Sequence, residues 1–124
     1  TTNEKMIFTA GNDSTLKKWS SDSFNEVKCI NLKDICRSLL LNEESSSILV
    51  GLWGGSLSEF SMDELTHVRT FPIFTDCFRK IIRLISGNLM ICTYDGFVGF
   101  PFDDNQKIEV SDNQIYSITE LSDK

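Results

Sequence analysis

A chain of 124 residues with 40% apolar and 24% charged side chains has the make-up of one ordinary globular domain. Seven Gly and two Pro, neither periodic, exclude collagen-like and low-complexity classes. Twelve Lys plus Arg against 18 Asp plus Glu leave a net charge of −6, which argues against general nucleic-acid binding, because that needs cations to displace phosphate counterions.

Alternating apolar residues begin almost at the first residue and predict a strand over 6–10 (MIFTA). The polar turn Asn12-Asp13-Ser14 follows, then a strand over 15–19. A loop rich in Ser, Asp and Asn leads to a strand over 26–32 and another over 36–41. The series then recurs. Strands are expected over 48–52 and 56–60, joined by Trp53-Gly54-Gly55, and over 67–72 and 79–85. A third series covers 89–93 and 97–100, joined by Tyr94-Asp95-Gly96, then 107–110 and 115–121. Asp-Gly and Gly-Gly are strong hairpin signals because both central residues can reach positive φ.

Sliding the chain by 41 residues superimposes Ile7, Ile48 and Leu89; Asp13, Gly54 and Asp95; and Leu16, Leu57 and Val98. Trp19 falls on Phe60, Val27 on Val68 and Cys36 on Cys77. Repeats of about 5–45, 46–86 and 87–124 result, each a four-stranded antiparallel meander. Such a unit has the length of a propeller blade and must stack on neighbours to bury both faces. The segment Ala10-Gly11-Asn12-Asp13-Ser14-Thr15-Leu16-Lys17-Lys18-Trp19 is similar to the strand–turn–strand core of the WD-repeat family, with its turn Asp, small residue and closing Trp. The resemblance covers about residues 5–121. It departs from the family in two places: no Gly-His dipeptide precedes a strand, and Ser20 follows Trp19 where the family has Asp. The family's histidine-centred hydrogen-bond network is therefore not expected.

The expected fold is all-β, with about three propeller blades. Known propellers have about four to eight blades, and three blades of a seven-blade ring sweep only about 150°. The chain also opens at the second element of a blade and ends on the fourth-strand pattern. Further blades on the same polypeptide or a partner, two chains joined head to tail, or a sandwich instead of a propeller would each resolve the open arc. A first residue that is Thr and not Met suggests processing or excision from a longer chain.

The resemblance implies a platform for protein partners, used through loops on one face; the competing reading is a structural piece of a larger assembly. Asn12, Trp53 and Tyr94 share one repeat position before the turn and should lie on one rim. Trp and Tyr at turn tips make good binding anchors, although Trp53 packed sideways on a neighbouring blade is the competing expectation. Arg37, Asp76 and Arg79 join the rim from inter-blade loops, with Lys33, Asp34, Asp112 and Asn113 beside them. Asp13 and Asp95 are expected to brace their turns. Trp19, Phe60, Leu16, Leu57 and Val98 are expected in the inter-blade core. Strand alternation would send Arg79 and Arg83 to one side with Ile81.

No catalytic, metal or cofactor site is expected. His67 is the only histidine and shows no Ser or Cys arranged around it; no C-x-x-C pair occurs. The run 51–56 lacks the Gly-Lys-Ser/Thr ending of a phosphate loop. Cys29, Cys36, Cys77 and Cys92 are expected as reduced, buried thiols, with Cys36 and Cys77 in equivalent sites. No apolar run reaches the ~18 residues of a membrane helix, and no secretory leader is visible, so an intracellular, cytoplasmic or nuclear setting is expected.

Overall fold

The computed structural model describes residues 5–72, 78–94, 96–100, 106–109 and 118–121. Among these there are eleven strands and no helix. They are β1 (Met6–Ala10), β2 (Thr15–Ser20), β3 (Glu26–Asn31), β4 (Cys36–Asn42), β5 (Ser47–Leu52), β6 (Ser56–Ser61), β7 (His67–Pro72), β8 (Phe78–Arg83), β9 (Leu89–Thr93), β10 (Phe97–Phe100) and β11 (Gln106–Glu109). The expected 115–121 strand falls largely outside the described residues, and 118–121 lie in no strand.

All pairings are antiparallel, in three sheets ordered β1-β2-β3, β4-β5-β6-β7 and β8-β9-β10-β11. The sheets run one strand out of step with the 41-residue repeat. β4 pairs with β5 through Leu40↔Leu49 and Leu41↔Ile48, so the last strand of one repeat opens the next sheet. Among the described residues the first sheet has three strands.

Two apolar layers join the sheets. Leu16 of the first sheet packs with Ile48, Val50, Leu52 and Phe60 of the second. On the other side of the second sheet, Leu49 and Leu57 pack with Ile81, Leu89 and Ile91 of the third. Alternation along β5 explains this: Ile48 and Val50 point one way and Leu49 the other, so every residue of the strand is buried. Each such side chain contributes about 1.5–3 kcal/mol. The strands β4 and β8 come together beside these layers, where the Ile81 N–H donates to Ser38 Oγ (3.0 Å).

Leu16, Leu57, Phe60 and Val98 are buried as expected, but Trp19 is not. It is half-exposed, on the face of β2 opposite Leu16. Among the described residues no sheet covers that face. The cysteines divide likewise. Cys36 and Cys92 are buried free thiols, whereas Cys29 is free and exposed, because it stands opposite Lys17 on the same uncovered face. Burial pushes the Cys36 thiol up to about 11, and burial also raises that of Cys92. Cys77 lies outside the described residues. Cys36 stands opposite Leu52, and Phe78 opposite Thr93, so Phe78 matches Cys36. The connection from β7 to β8 is one residue longer than that from β3 to β4.

Candidate partner-binding rim

Each hairpin at this end of the sheets is closed by one backbone hydrogen bond at an equivalent place. Ser14 donates to Gly11 O (3.1 Å), Gly55 to Leu52 O (3.0 Å) and Gly96 to Thr93 O (3.5 Å). In the first two turns only the last residue has positive φ, 62° at Ser14 and 95° at Gly55, and in the third Gly96 has 99°. The two-residue turn with two positive φ values is therefore replaced by a type I-like turn ending in one left-handed residue. Asn12, Trp53 and Tyr94 occupy the same corner of their turns.

The corners are braced differently. Asp13 Oδ1 accepts from the Thr15 N–H (3.1 Å) and the Thr15 hydroxyl (2.8 Å), a local turn clamp. These bonds, side-chain first, hold its carboxyl below the ordinary 3.8. The matching Asp95 lies outside the described residues. The middle hairpin has Gly54 at this position and takes its carboxylate from the loop before β4. Asp34 Oδ2 accepts from the Gly54 N–H (2.8 Å) and Oδ1 from the Ile35 N–H (2.7 Å). A Cβ on Gly54 would come within 2.8 Å of that same oxygen. The Trp53 N–H donates to Ile35 O (2.8 Å), fixing the corner to the loop.

The side chains then form a ladder across two sheets. The rings of Trp53 and Tyr94 meet edge to face at 5.4 Å and 72°. Arg37 Cζ lies 4.5 Å from the Trp53 ring centroid and Arg79 Cζ 4.8 Å from that of Tyr94. Trp53, Tyr94 and Arg79 are half-buried and Arg37 is exposed. Both arginines sit at a β-bulge: the register shifts between Cys36 and Ser38 in β4, and between Phe78 and Lys80 in β8. A bulge re-aims the extra side chain and breaks alternation. Here it turns each guanidinium onto the aromatic ring of its own sheet.

Four of the expected rim residues thus converge. Asn12 is exposed on the first hairpin, beside an open hollow lined by Thr9, Asp13, Lys17 and Trp19, and makes no ring contact in the ladder. Asp76, like Asp112 and Asn113, lies outside the described residues. Arg79 sits at the bulge over the Tyr94 ring, whereas Arg83 Nη1 donates to Gly87 O (3.2 Å) at the opposite end of the strand, so the two do not form one basic site. Sequence reasoning missed Asp34 as a turn brace and missed the equivalence of Arg37 and Arg79. An alignment allowing one extra residue before β8 would have found the latter. His67 Nε2 shares a hydrogen bond with Thr70 Oγ1 (2.7 Å), which in turn meets Ser58 Oγ (3.0 Å), and its ring lies edge-on to Phe60, in a β6–β7 cross-strand cluster away from the rim. No group of three potential metal ligands occurs among the described residues.

No protein-family model matches the sequence, and no curated protein matches it. Solved structures do. The WD40 β-propeller domain of Doa1 is similar with a TM-score of 0.81 and 21% identity over 96% of this chain. U3-55K is similar with a TM-score of 0.75 and 16% identity over 88%, and the WD40 repeats of RRP9 with 0.68 and 18% over 84%. This chain spans 41%, 37% and 34% of those chains, respectively. The likeness is one of fold: the three sheets are blades of a WD40-type β-propeller, and they amount to part of one.

Proposed function

We propose that this chain is a segment of a WD40-type propeller that serves as a platform for protein partners, docking them on the rim of Asn12, Trp53, Tyr94, Arg37, Arg79 and Asp76. The observation that supports this best is the ladder of Trp53, Tyr94, Arg37 and Arg79. Trp, Tyr and Arg are the residues that most often dominate interface energy, and these are held in place before any partner arrives. The sideways packing of Trp53 on the adjacent blade is part of that preorganisation. We assign the rim no catalysis, since rings, guanidinium groups and a carboxylate held by backbone N–H groups bind and orient. The free thiols Cys29, Cys36 and Cys92 fit a reducing, intracellular setting.

The test is Trp53→Ala with Tyr94→Ala. Proteins captured by the wild-type chain, counted by quantitative mass spectrometry, should be lost while circular dichroism stays unchanged. A collapsed fold with undiminished capture by the surviving material would sink the rim.

A second reading, a structural piece of a larger assembly, is favoured by the uncovered face of the first sheet. Ile7 is 41% and Val27 52% exposed there. Light scattering over a range of concentrations tests it. A stable mass of two chains means head-to-tail closure, and a mass that climbs with concentration means faces awaiting other blades. A compact monomer at every concentration counts against this reading.

A further inference from the structure

We infer that the uncovered face of the first sheet seats a further repeat of this kind, one that lays aliphatic side chains over Ile7, Trp19 and Phe24 and offers a Lys or Arg to the turn at Asp22. This rests on the reading of the chain as a piece of a larger assembly and names the chemistry that the face takes.

The first argument is the repeat. Ile7, Trp19 and Phe24 stand where Ile48, Phe60 and Leu65 stand in the middle blade. The turns that carry Phe24 and Leu65 are built alike. The Phe24 N–H donates to Ser20 O (2.9 Å) and the Leu65 N–H to Ser61 O (3.0 Å), and both residues are left-handed, with φ of 57° and 54°. Their surroundings differ. Leu65 is 3% exposed, in the layer that Leu16 and Ile30 of the first blade join, whereas Phe24 is 72% exposed. Among the described residues β1 is also the open edge of its sheet, at the place where β4 lies on β5 in the second.

The second argument is charge. The first blade holds the middle blade's turn with two lysines: Lys18 Nζ donates to Asp63 O (2.9 Å), and Lys28 Nζ meets Glu64 Oε2 (3.5 Å). In the first blade Asp22 and Ser23 hold the places of Asp63 and Glu64. A neighbour packed in the same way therefore meets the Asp22 carbonyl with one cation, while Ser23 offers no carboxylate to a second. The polar groups in the middle of the face already have partners, Trp19 Nε1 in Thr9 and Lys17 in Glu26 (3.6 Å). An aliphatic sheet laid over them leaves neither without one.

A second copy of this chain joined head to tail fits the seat less well. Its third sheet has Phe100 in the place of Lys18, so an apolar ring would face the Asp22 turn. Val98, in the place of Leu16, and Cys92 opposite it are already buried.

The experiment joins a copy of residues 5–45 to the chain ahead of Lys5, which keeps the 41-residue period, and randomises the places of Leu16, Lys18, Lys28 and Ile30 in the added copy. The variants are displayed and selected for resistance to protease. Survivors should withstand about tenfold more protease than the 124-residue chain. They should carry Leu, Ile or Val at the places of Leu16 and Ile30 and Lys or Arg at the place of Lys18, with no preference at that of Lys28. In a survivor Phe24→Ala should lower the urea midpoint as Leu65→Ala does; in the 124-residue chain Phe24→Ala should leave it unchanged. Resistant survivors with no cation at the place of Lys18 would overturn the charge requirement and leave the assembly reading standing. Survivors indifferent to Phe24→Ala would overturn the seat, and no survivor more resistant than the chain alone would overturn the seat and the assembly reading together. A mass of two chains for the 124-residue chain, abolished by Phe24→Asp, would overturn the further repeat in favour of a second copy.

Discussion

The first and middle blades carry the same cross-strand pair in the same place and use it oppositely. In the middle blade Ile48 stands opposite Phe60, and both are buried against the first blade. In the first blade Ile7 stands opposite Trp19, and both are partly open to solvent. Trp19 there makes use of its polar edge: Nε1 donates to Thr9 Oγ1 (2.9 Å), and Lys17 Nζ lies 5.7 Å from the ring centroid. Period-2 alternation creates two apolar faces in every blade. Whether a face becomes core depends on the presence of a neighbour.

The largest effect expected from this comparison is on stability. Phe60→Ala should cost about 3–5 kcal/mol in urea denaturation, the range for a buried aromatic. Trp19→Ala should cost about 1 kcal/mol or less in this chain. If a further blade covers the first sheet, the Trp19 value should climb toward that of Phe60. Equal costs in the chain alone would break the comparison.

Next come Lys28 and Arg69, which share a repeat position. Arg69 serves a buried carboxylate, Glu59, whereas Lys28 meets the exposed Glu64. Arg69→Ala should cost about 1–3 kcal/mol, because it strands that carboxylate, and Lys28→Ala about 0.5 kcal/mol or less. Burial, the strongest influence on Glu59, pushes its carboxyl up. The hydrogen bonds from Ser47 and Arg69 and the Arg69 charge outweigh it, so the net direction is down. Stability from this pair is therefore full above the unfolded carboxylate value and lost as pH falls through the lowered folded value. Arg69→Ala should diminish that acid-side loss in a pH series of denaturation curves.

Smaller still is the exchange at the turns. Ser14 adopts the left-handed conformation that glycine supplies at position 55. Ser14→Gly should stabilise, and Gly55→Ser destabilise, each by about 1 kcal/mol in thermal melts. The smallest effect is that of Asp13. Its lowered carboxyl stabilises the first turn above the ordinary carboxylate value and loses that effect as pH falls through the lowered one. Asp13→Asn should flatten this last part of the acid limb by lowering neutral-pH stability slightly toward its acid value.

Much of this was legible along the chain. Strand positions agree to within a residue or two at most ends, because alternation and turn residues report local conformation directly. Trp53 and Tyr94 emerged as rim partners from their shared repeat position alone. Arg37 and Arg79 were legible as rim residues from the inter-blade loops, but not as an equivalent pair set on the two rings. A one-residue lengthening before β8 puts Arg79 at the bulge that Arg37 occupies in β4, and it shifts the matches by one along β8 alone, since the 41-residue spacing resumes at Leu89. The sequence frame also could not show that β4 opens the second sheet, since a strand's hydrophobic pattern is the same whichever neighbour it joins.

The sequence by itself determined the strands, the turns, the repeat and the existence of two apolar faces in each blade, because these rest on residues a few positions apart. Tertiary structure alone decided that Phe60 is core and Trp19 is not, that Asp34 holds the Trp53 turn, and that two bulged arginines lie on two rings. Those outcomes depend on contacts between strands and blades: sixteen residues separate Arg37 from Trp53, and forty-one separate Trp53 from Tyr94. Packing at that range is set by which surfaces meet, and no local period encodes it.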